Sequence, residues 1–272
     1  MDDKIEQNRR AARALERLAQ AIFRAWFVDF EPVRAKAAGA TSFPSMPEAV
    51  FDVLPVGFAD SDSGSIPQGW RVSTVGDCTS YVSRGISPKY VEEDGILVIT
   101  QRCIRNFQVD FSNARRHNSK LKLLKGRQLQ MGDVLVNSTG VGTLGRTGQI
   151  TELPGEAIAD SHVTVLRTGT SLSQTFWGQA LMAKQSEFEA MGEGTTGQTE
   201  LSRHKLLRLP LLVPNHSIDQ AFAQAVDPLL SLVQVKRKES VKLANMRDYL
   251  LPRLLEGKLY VQHNGSDSKR TA

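Results

Sequence analysis

Residues Ile218 to Glu256 read IDQAFAQAVDPLLSLVQVKRKESVKLANMRDYLLPRLLE, and the spacing of their apolar side chains decides the fold. Phe222, Val226, Leu229, Val233, Leu243, Leu250 and Leu254 recur in alternating steps of four and three, with Lys236, Ser240 and Arg247 filling the gaps. That is a heptad seam, which needs a partner helix to cover it. At 1.5 Å per residue the segment would run about 58 Å, far beyond an average globular helix. Pro228 and Pro252 lie inside the pattern and predict a kink or a break; Asp227-Pro228 would suit the start of a second helix. Two readings stand: a surface helix packed on its own domain, or a strut between functional modules.

The N-terminus repeats the pattern. Over Asp3 to Val28, the residues Ile5, Asn8, Ala12, Leu15, Ala19, Ile22 and Trp26 alternate steps of three and four, and five arginines lie off the stripe. Asn8 is the one polar residue in this seam, a device that fixes register. Both ends of the chain therefore ask for the same kind of contact. Between them the grammar changes twice. Ala35 to Gly69 is rich in Ala, Gly, Ser and Pro and reads as a linker laid over a surface. From Trp70, Gly-punctuated runs rich in Val, Ile and Thr (RVSTVGD, GILVIT, GDVLVNST, HVTVLR) predict strands. A helix is expected over Ser173 to Met191, then a turn-rich loop at Gly192 to Gln198. The result is an α+β domain over 70–214, with helices over 1–34 and 215–258, a linker over 35–69 and a disordered tail over 259–272.

At 272 residues, with two cysteines, no signal peptide and no apolar run long enough for a membrane, the chain reads as cytoplasmic without a disulfide framework. Its formal charge of +5 is uneven. Thr100 to Gln130 holds eight Lys/Arg against Asp110 alone, whereas Ala37 to Gly69 holds four acids and no Lys or Arg. A positive middle beside an acidic linker points to a polyanion partner.

The sequence carries no catalytic constellation. Gly140-x-Gly142-x-x-Gly145 matches the dinucleotide fingerprint and follows a predicted strand, but the next residues, RTGQITELPG, have no helical period to receive a pyrophosphate. Those glycines fit a tight hairpin or a close backbone approach instead. Asp160-Ser161-His162 sits at a strand entry with no nucleophile elbow. His117, His204 and His216 lack a partner at helical or zinc spacing. No catalytic residue, metal or cofactor is assigned.

Nucleic-acid contact is better supported. Arg84, Lys89, Arg102, Arg105, Arg115, Arg116, Lys120 and Arg146 supply cations, and Tyr90 an aromatic face. Asn106 has an amide able to pair adenine, as Arg can pair guanine. Thr195, Thr196 and Gln198 in GEGTTGQ add hydroxyls and an amide suited to phosphate or base edges.

Several segments together resemble one family, the specificity subunits of Type I restriction–modification enzymes. They are DDKIEQNRR and AIFRAWFVDFEPVRAKA within Asp2 to Ala37, IPQGW (Ile66 to Trp70), GDVLVNSTG (Gly132 to Gly140), GTTGQTELSRHKLLRLPLLVP (Gly194 to Pro214) and LLPRLLEGKL (Leu250 to Leu259). The resemblance implies a target-recognition domain that reads double-stranded DNA, flanked by long helices pairing as an antiparallel coiled coil. The seam residues Leu15, Ile22, Trp26, Phe222, Val226, Leu229, Val233, Leu243, Leu250 and Leu254 would form that contact and a dimer. It implies a subunit that is not an enzyme and that docks a DNA adenine methyltransferase subunit carrying S-adenosylmethionine. It leaves open a translocating nuclease subunit as a further partner. One recognition domain, where the family's full-length subunits have two, resembles a half-subunit; a homodimer would then read an inverted, interrupted site. The alternative is a competitor or truncated remnant that binds the methyltransferase without selecting DNA.

Overall fold

The alternating three- and four-residue steps at the N-terminus give α1 (Asp2–Phe27), with Asp2 and Asp3 in its first turn and Arg24 in its last, the charge order a helix dipole favours. The structure, a computed structural model, describes residues 1–44, 46–61, 64–118, 120, 124, 126–169, 171–193 and 199–257. After α1 come α2 (Glu31–Ala37), α3 (Glu48–Asp52) and a hairpin of β1 (Phe58–Ser61) with β2 (Gly64–Pro67). Strands β3 (Arg71–Thr74), β4 (Thr79–Arg84), β5 (Tyr90–Val91), β6 (Ile96–Ile99), β7 (Ile104–Arg105), β8 (Phe107–Val109) and β9 (Arg115–His117) follow. Next are β10 (Val134–Asn137), β11 (Thr147–Gln149), β12 (Ala157–Ala159), β13 (Val163–Thr168), α4 (Gln174–Ala183) and α5 (Gln185–Ala190). The last elements are β14 (Gly192–Glu193), β15 (Glu200–Leu201), α6 (Arg203–Arg208), β16 (Pro210–Val213) and α7 (His216–Leu255). The fold is mixed α+β with a long helix toward each end, as expected.

Two compact units divide the chain: Gln20–Asp227, and Met1–Ala19 together with the residues from Pro228. The expected 70–214 domain lies inside the first. There, a six-stranded sheet in the order β4-β13-β10-β11-β8-β7 and a four-stranded sheet in the order β12-β6-β9-β5 carry the core. Their pairings are antiparallel except β11 with β8 and β12 with β6. Leu135, Val163 and Val165 of the larger sheet bury with Ile99, Ala157 and Ala159 of the smaller one. Removing each of the Leu, Val and Ile side chains from water contributes about 1.5–3 kcal/mol. All four residues of β10 are buried, so Val134 to Asn137 reads as a run rather than an alternation.

Gly140, Gly142 and Gly145 have φ of 102°, 69° and 80°, a left-handed region closed to most side chains. They turn β10 into β11, and no helix opens there. A Cβ on Gly145 would also lie 2.5 Å from the Glu189 nitrogen. The dinucleotide fingerprint is thus a hairpin turn that α5 packs against. The single helix expected over Ser173 to Met191 is two. Lys184 leaves the helical region (φ −91°, ψ 7°) between α4 and α5, and Phe188 beyond it is fully buried.

Aromatic residues from distant segments converge in this unit. Phe222 of α7 lies 5.8 Å from Phe23, 5.8 Å from Trp26 and 5.0 Å from Phe27, all three edge-on. Trp70 of the IPQGW segment packs on Phe27 and on Phe30. The first turn of α7 is pinned by Asp219, whose carboxylate accepts from the Ser173 hydroxyl at 2.6 Å and its N–H at 2.8 Å. The stretch expected as a linker holds the end of α2, the short helix α3 and a hairpin. Met46, Phe51, Leu54 and Ile66 are its buried anchors, and Lys36 Nζ donates to the carbonyls of Phe51, Asp52 and Leu54 at the end of α3.

In the second unit, Ile5, Asn8, Ala12 and Ala19 of α1 and Val233 of α7 are buried. Asp2 pairs with Arg247 at 2.5 Å and Glu16 with Arg237, so the partners follow opposite orders along the two helices. Leu15, Leu229, Leu243 and Leu250 are half-buried, and Leu254 is exposed. The helix α7 continues through Pro228 and Pro252. No described helix is long and apolar enough to cross a membrane.

Candidate nucleic-acid interface

Three groups of the expected contact residues emerge within Gln20–Asp227. The first lies on the edge of the four-stranded sheet, where β5 pairs with β9 and sets Tyr90 opposite His117 and Val91 opposite Arg116. The Arg115 guanidinium stacks over the Tyr90 ring, 3.3 Å from its centroid, and Arg116 donates to the Gly95 carbonyl at 2.8 Å. Fully buried His117 anchors the edge by accepting the Lys89 N–H on Nδ1 at 2.8 Å. Burial pushes the Tyr90 hydroxyl above its usual pKa, with Asp160 adding to the effect and Arg115 opposing it. Lys89, Tyr90, Arg115 and Arg116 thus form one cationic, aromatic edge. It suits phosphates and a stacked or edge-on base.

The second group sits at the hairpin between β7 and β8. Arg105 faces Gln108 across a two-residue turn whose Asn106 and Phe107 have φ of 53° and 61°. Asn106 tolerates the left-handed region; Phe107 is strained there, a cost that functional sites commonly retain. Arg102 lies in the 3-10 turn Gln101–Cys103. That turn is stitched to the glycine turn: Gln101 Nε2 donates to Thr139 Oγ1 at 2.9 Å, and Thr139 Oγ1 meets His162 Nδ1 at 2.8 Å. Arg146 folds back on the glycine turn and donates to the Gly142 carbonyl. His162 is therefore tied to Thr139 and, through its backbone N–H, to Asp160. Burial raises the pKa of the Asp160 carboxyl and of the Cys103 thiol.

The third group lines a cavity of about 700 Å3 at the end of β4. Arg84 pairs with Glu200 at 2.5 Å and donates to the Leu201 carbonyl at 3.3 Å. Arg127 donates to the Ser83 hydroxyl and, at 2.9 Å, to the Arg84 carbonyl. Arg203 joins the lining. The sequence marked Arg84 but not Arg127 or Arg203 as contacts; for Arg127 the available signal was its membership of the basic stretch. The Lys120 backbone N–H donates to Asn118 Oδ1. Thr195, Thr196 and Gln198, with the expected tail, lie outside the described residues. Among the described residues, no three His, Cys, Asp or Glu side chains converge as a metal site would require.

No family model matches this chain. Two curated proteins do. The MjaIX specificity subunit of Methanocaldococcus jannaschii is 24% identical over 266 residues, covering 96% of this chain and 56% of its own length. The HindI specificity subunit of Haemophilus influenzae is 22% identical over 302 residues, covering 95% of this chain and 65% of its own. Both are Type I restriction enzyme specificity subunits. The chain resembles that family over nearly its whole length, and spans between half and two thirds of the relatives it matches. Its fold is that of the Type I restriction–modification S subunit from M. genitalium, with a TM-score of 0.61 and 14% identity over 93% of this chain and 57% of that one. The segments that carry the resemblance fall at structurally decisive places. WFVDF and IPQGW supply the aromatic cluster, and GDVLVNSTG supplies Asp133, strand β10 and the entry to the glycine turn.

Proposed function

We propose that this chain is a non-catalytic DNA-specificity subunit that reads one half-site. The similarity of 96% of its length to a specificity subunit carries the reading. The cationic edge around Tyr90, Arg115 and Arg116 supports direct DNA contact, because Arg and an aromatic face serve both phosphates and bases. The terminal helices form an antiparallel coiled coil: the buried positions Ile5, Ala12, Ala19 and Val233 and the oppositely ordered ion pairs support it. Along its length, α7 also exposes Leu232, Val235, Val241, Met246, Tyr249 and Leu251. Exposed apolar side chains in this number mark an interaction surface. We assign it to a second copy of the chain and to a DNA adenine methyltransferase subunit, which brings S-adenosylmethionine. Two copies related by a two-fold axis read an inverted, interrupted site. A translocating nuclease subunit joins the same assembly where restriction accompanies modification.

Duplex binding by the purified chain tests the DNA contact. Affinity should fall with salt at a log–log slope of about −0.9 for each phosphate neutralised. A salt-independent affinity contradicts backbone contact. Capture of the methyltransferase without any duplex binding would instead favour an assembly competitor.

A further inference from the structure

The arginine-lined cavity has two carboxylates on its rim, and both already hold cations. Glu200 pairs with Arg84 and Glu193 with Lys205. The Glu200 side chain is 58% exposed and that of Arg84 30%. A pair this wet contributes little and exchanges easily. Arg127 is held at the same wall by Ser83 and the Arg84 carbonyl through Nη1, and a guanidinium carries five donors in all. The floor is backbone: a Cβ on Gly85 would lie 2.0 Å from the Ala159 carbonyl oxygen, so the end of β4 sits directly on β12. The cavity is therefore built rather than incidental, with fixed cations and a replaceable anion.

We infer that this cavity is a guarded phosphate site, in which Glu200 occupies Arg84 until a DNA backbone phosphate displaces it. The inference rests on the DNA-specificity reading and deepens it. Exchange of carboxylate for phosphate preserves a charge-assisted pair on Arg84 and adds the Arg127 donors to the same anion. The two rim carboxylates offset the clustered arginines and so weaken capture of polyanions that do not fit the cavity.

The test measures binding of a short labelled duplex by the full chain across a salt series, for wild type, Glu200→Gln, Arg84→Gln and the remote charge control Glu48→Gln in α3. Glu200→Gln should bind about two- to fivefold tighter than wild type, the worth of an exposed ion pair, while Glu48→Gln changes far less. Arg84→Gln should weaken binding and lower the salt slope by about one. Thermal melts confirm that each variant is folded, and the near-isosteric Glu200→Gln carries the test if Arg84→Gln is not. Equal affinities for Glu200→Gln and Glu48→Gln, or an unchanged slope in folded Arg84→Gln, overturn the guarded site while leaving DNA binding intact. Failure of the wild type to bind duplex overturns both.

Discussion

Replacing Arg167 with methionine should cost about 3–5 kcal/mol of unfolding free energy, because it strands a buried carboxylate. Asp133 is fully buried at the start of β10. Its two oxygens receive the Arg167 guanidinium in a fork, Nε at 2.6 Å and Nη2 at 2.7 Å. Nη2 also reaches the Gln128 carbonyl at 3.1 Å, and the Tyr81 ring lies 4.9 Å from the guanidinium carbon. Hydrogen bonding to Asp133 raises the Arg167 pKa further, so the cation is retained at any ordinary pH. The third hydrogen bond to the Asp133 carboxylate, from the Gln130 N–H at 2.7 Å, does not replace the lost charge. Urea unfolding measures the deficit. The double variant Arg167→Met with Asp133→Asn should recover part of it, since replacing both partners removes the unpaired charge. A loss under about 1 kcal/mol in the single variant would show that water or local relaxation satisfies Asp133.

Phe222→Ala should cost a comparable amount, about 3–5 kcal/mol. Phe222 is fully buried and touches four rings, from Phe23, Trp26, Phe27 and Phe176. Truncation loses the transfer energy of the ring and its edge-on contacts, and it leaves a cavity where α1, α4 and the start of α7 meet. Leu254→Ala is the contrast: the side chain is 40% exposed, so stability should stay within about 0.5 kcal/mol. Chemical denaturation compares the two. Equal losses would mean that the seam is buried along its full length.

That contrast also marks what periodicity could reveal. The positions Ile5, Asn8, Ala12, Ala19, Ile22 and Trp26 are buried as their three- and four-residue steps predict. On α7 the same steps end in half-buried Leu243 and Leu250 and exposed Leu254. The pattern specifies which face wants a partner but not how far the partner reaches, and Asp2, the first residue of α1, already pairs with Arg247. The four Val- and Ile-rich runs became β3, β6, β10 and β13. Strands such as TGQ (β11), AIA (β12) and RRH (β9) have three residues each, too few to show a period. Their existence depends on pairing with segments far away in the chain. Composition made Ala35 to Gly69 read as a linker, whereas four apolar anchors and the Lys36 cap fold it onto the first unit. The basic stretch was legible as charge alone. That Arg127 acts beside Ser83 and Arg84, more than forty residues earlier, depends on tertiary contacts rather than local pattern.

In the proposed function, two copies of this chain direct an adenine methyltransferase to a split, symmetric DNA site. Methylome sequencing of a host carrying this chain with its cognate methyltransferase tests it most directly, because one measurement reports activity, sequence and symmetry. Modified adenines are expected at an inverted repeat interrupted by a spacer of constant length, and none when this chain is omitted. Adenine modification that does not depend on this chain, or that falls at a continuous, asymmetric sequence, would contradict it.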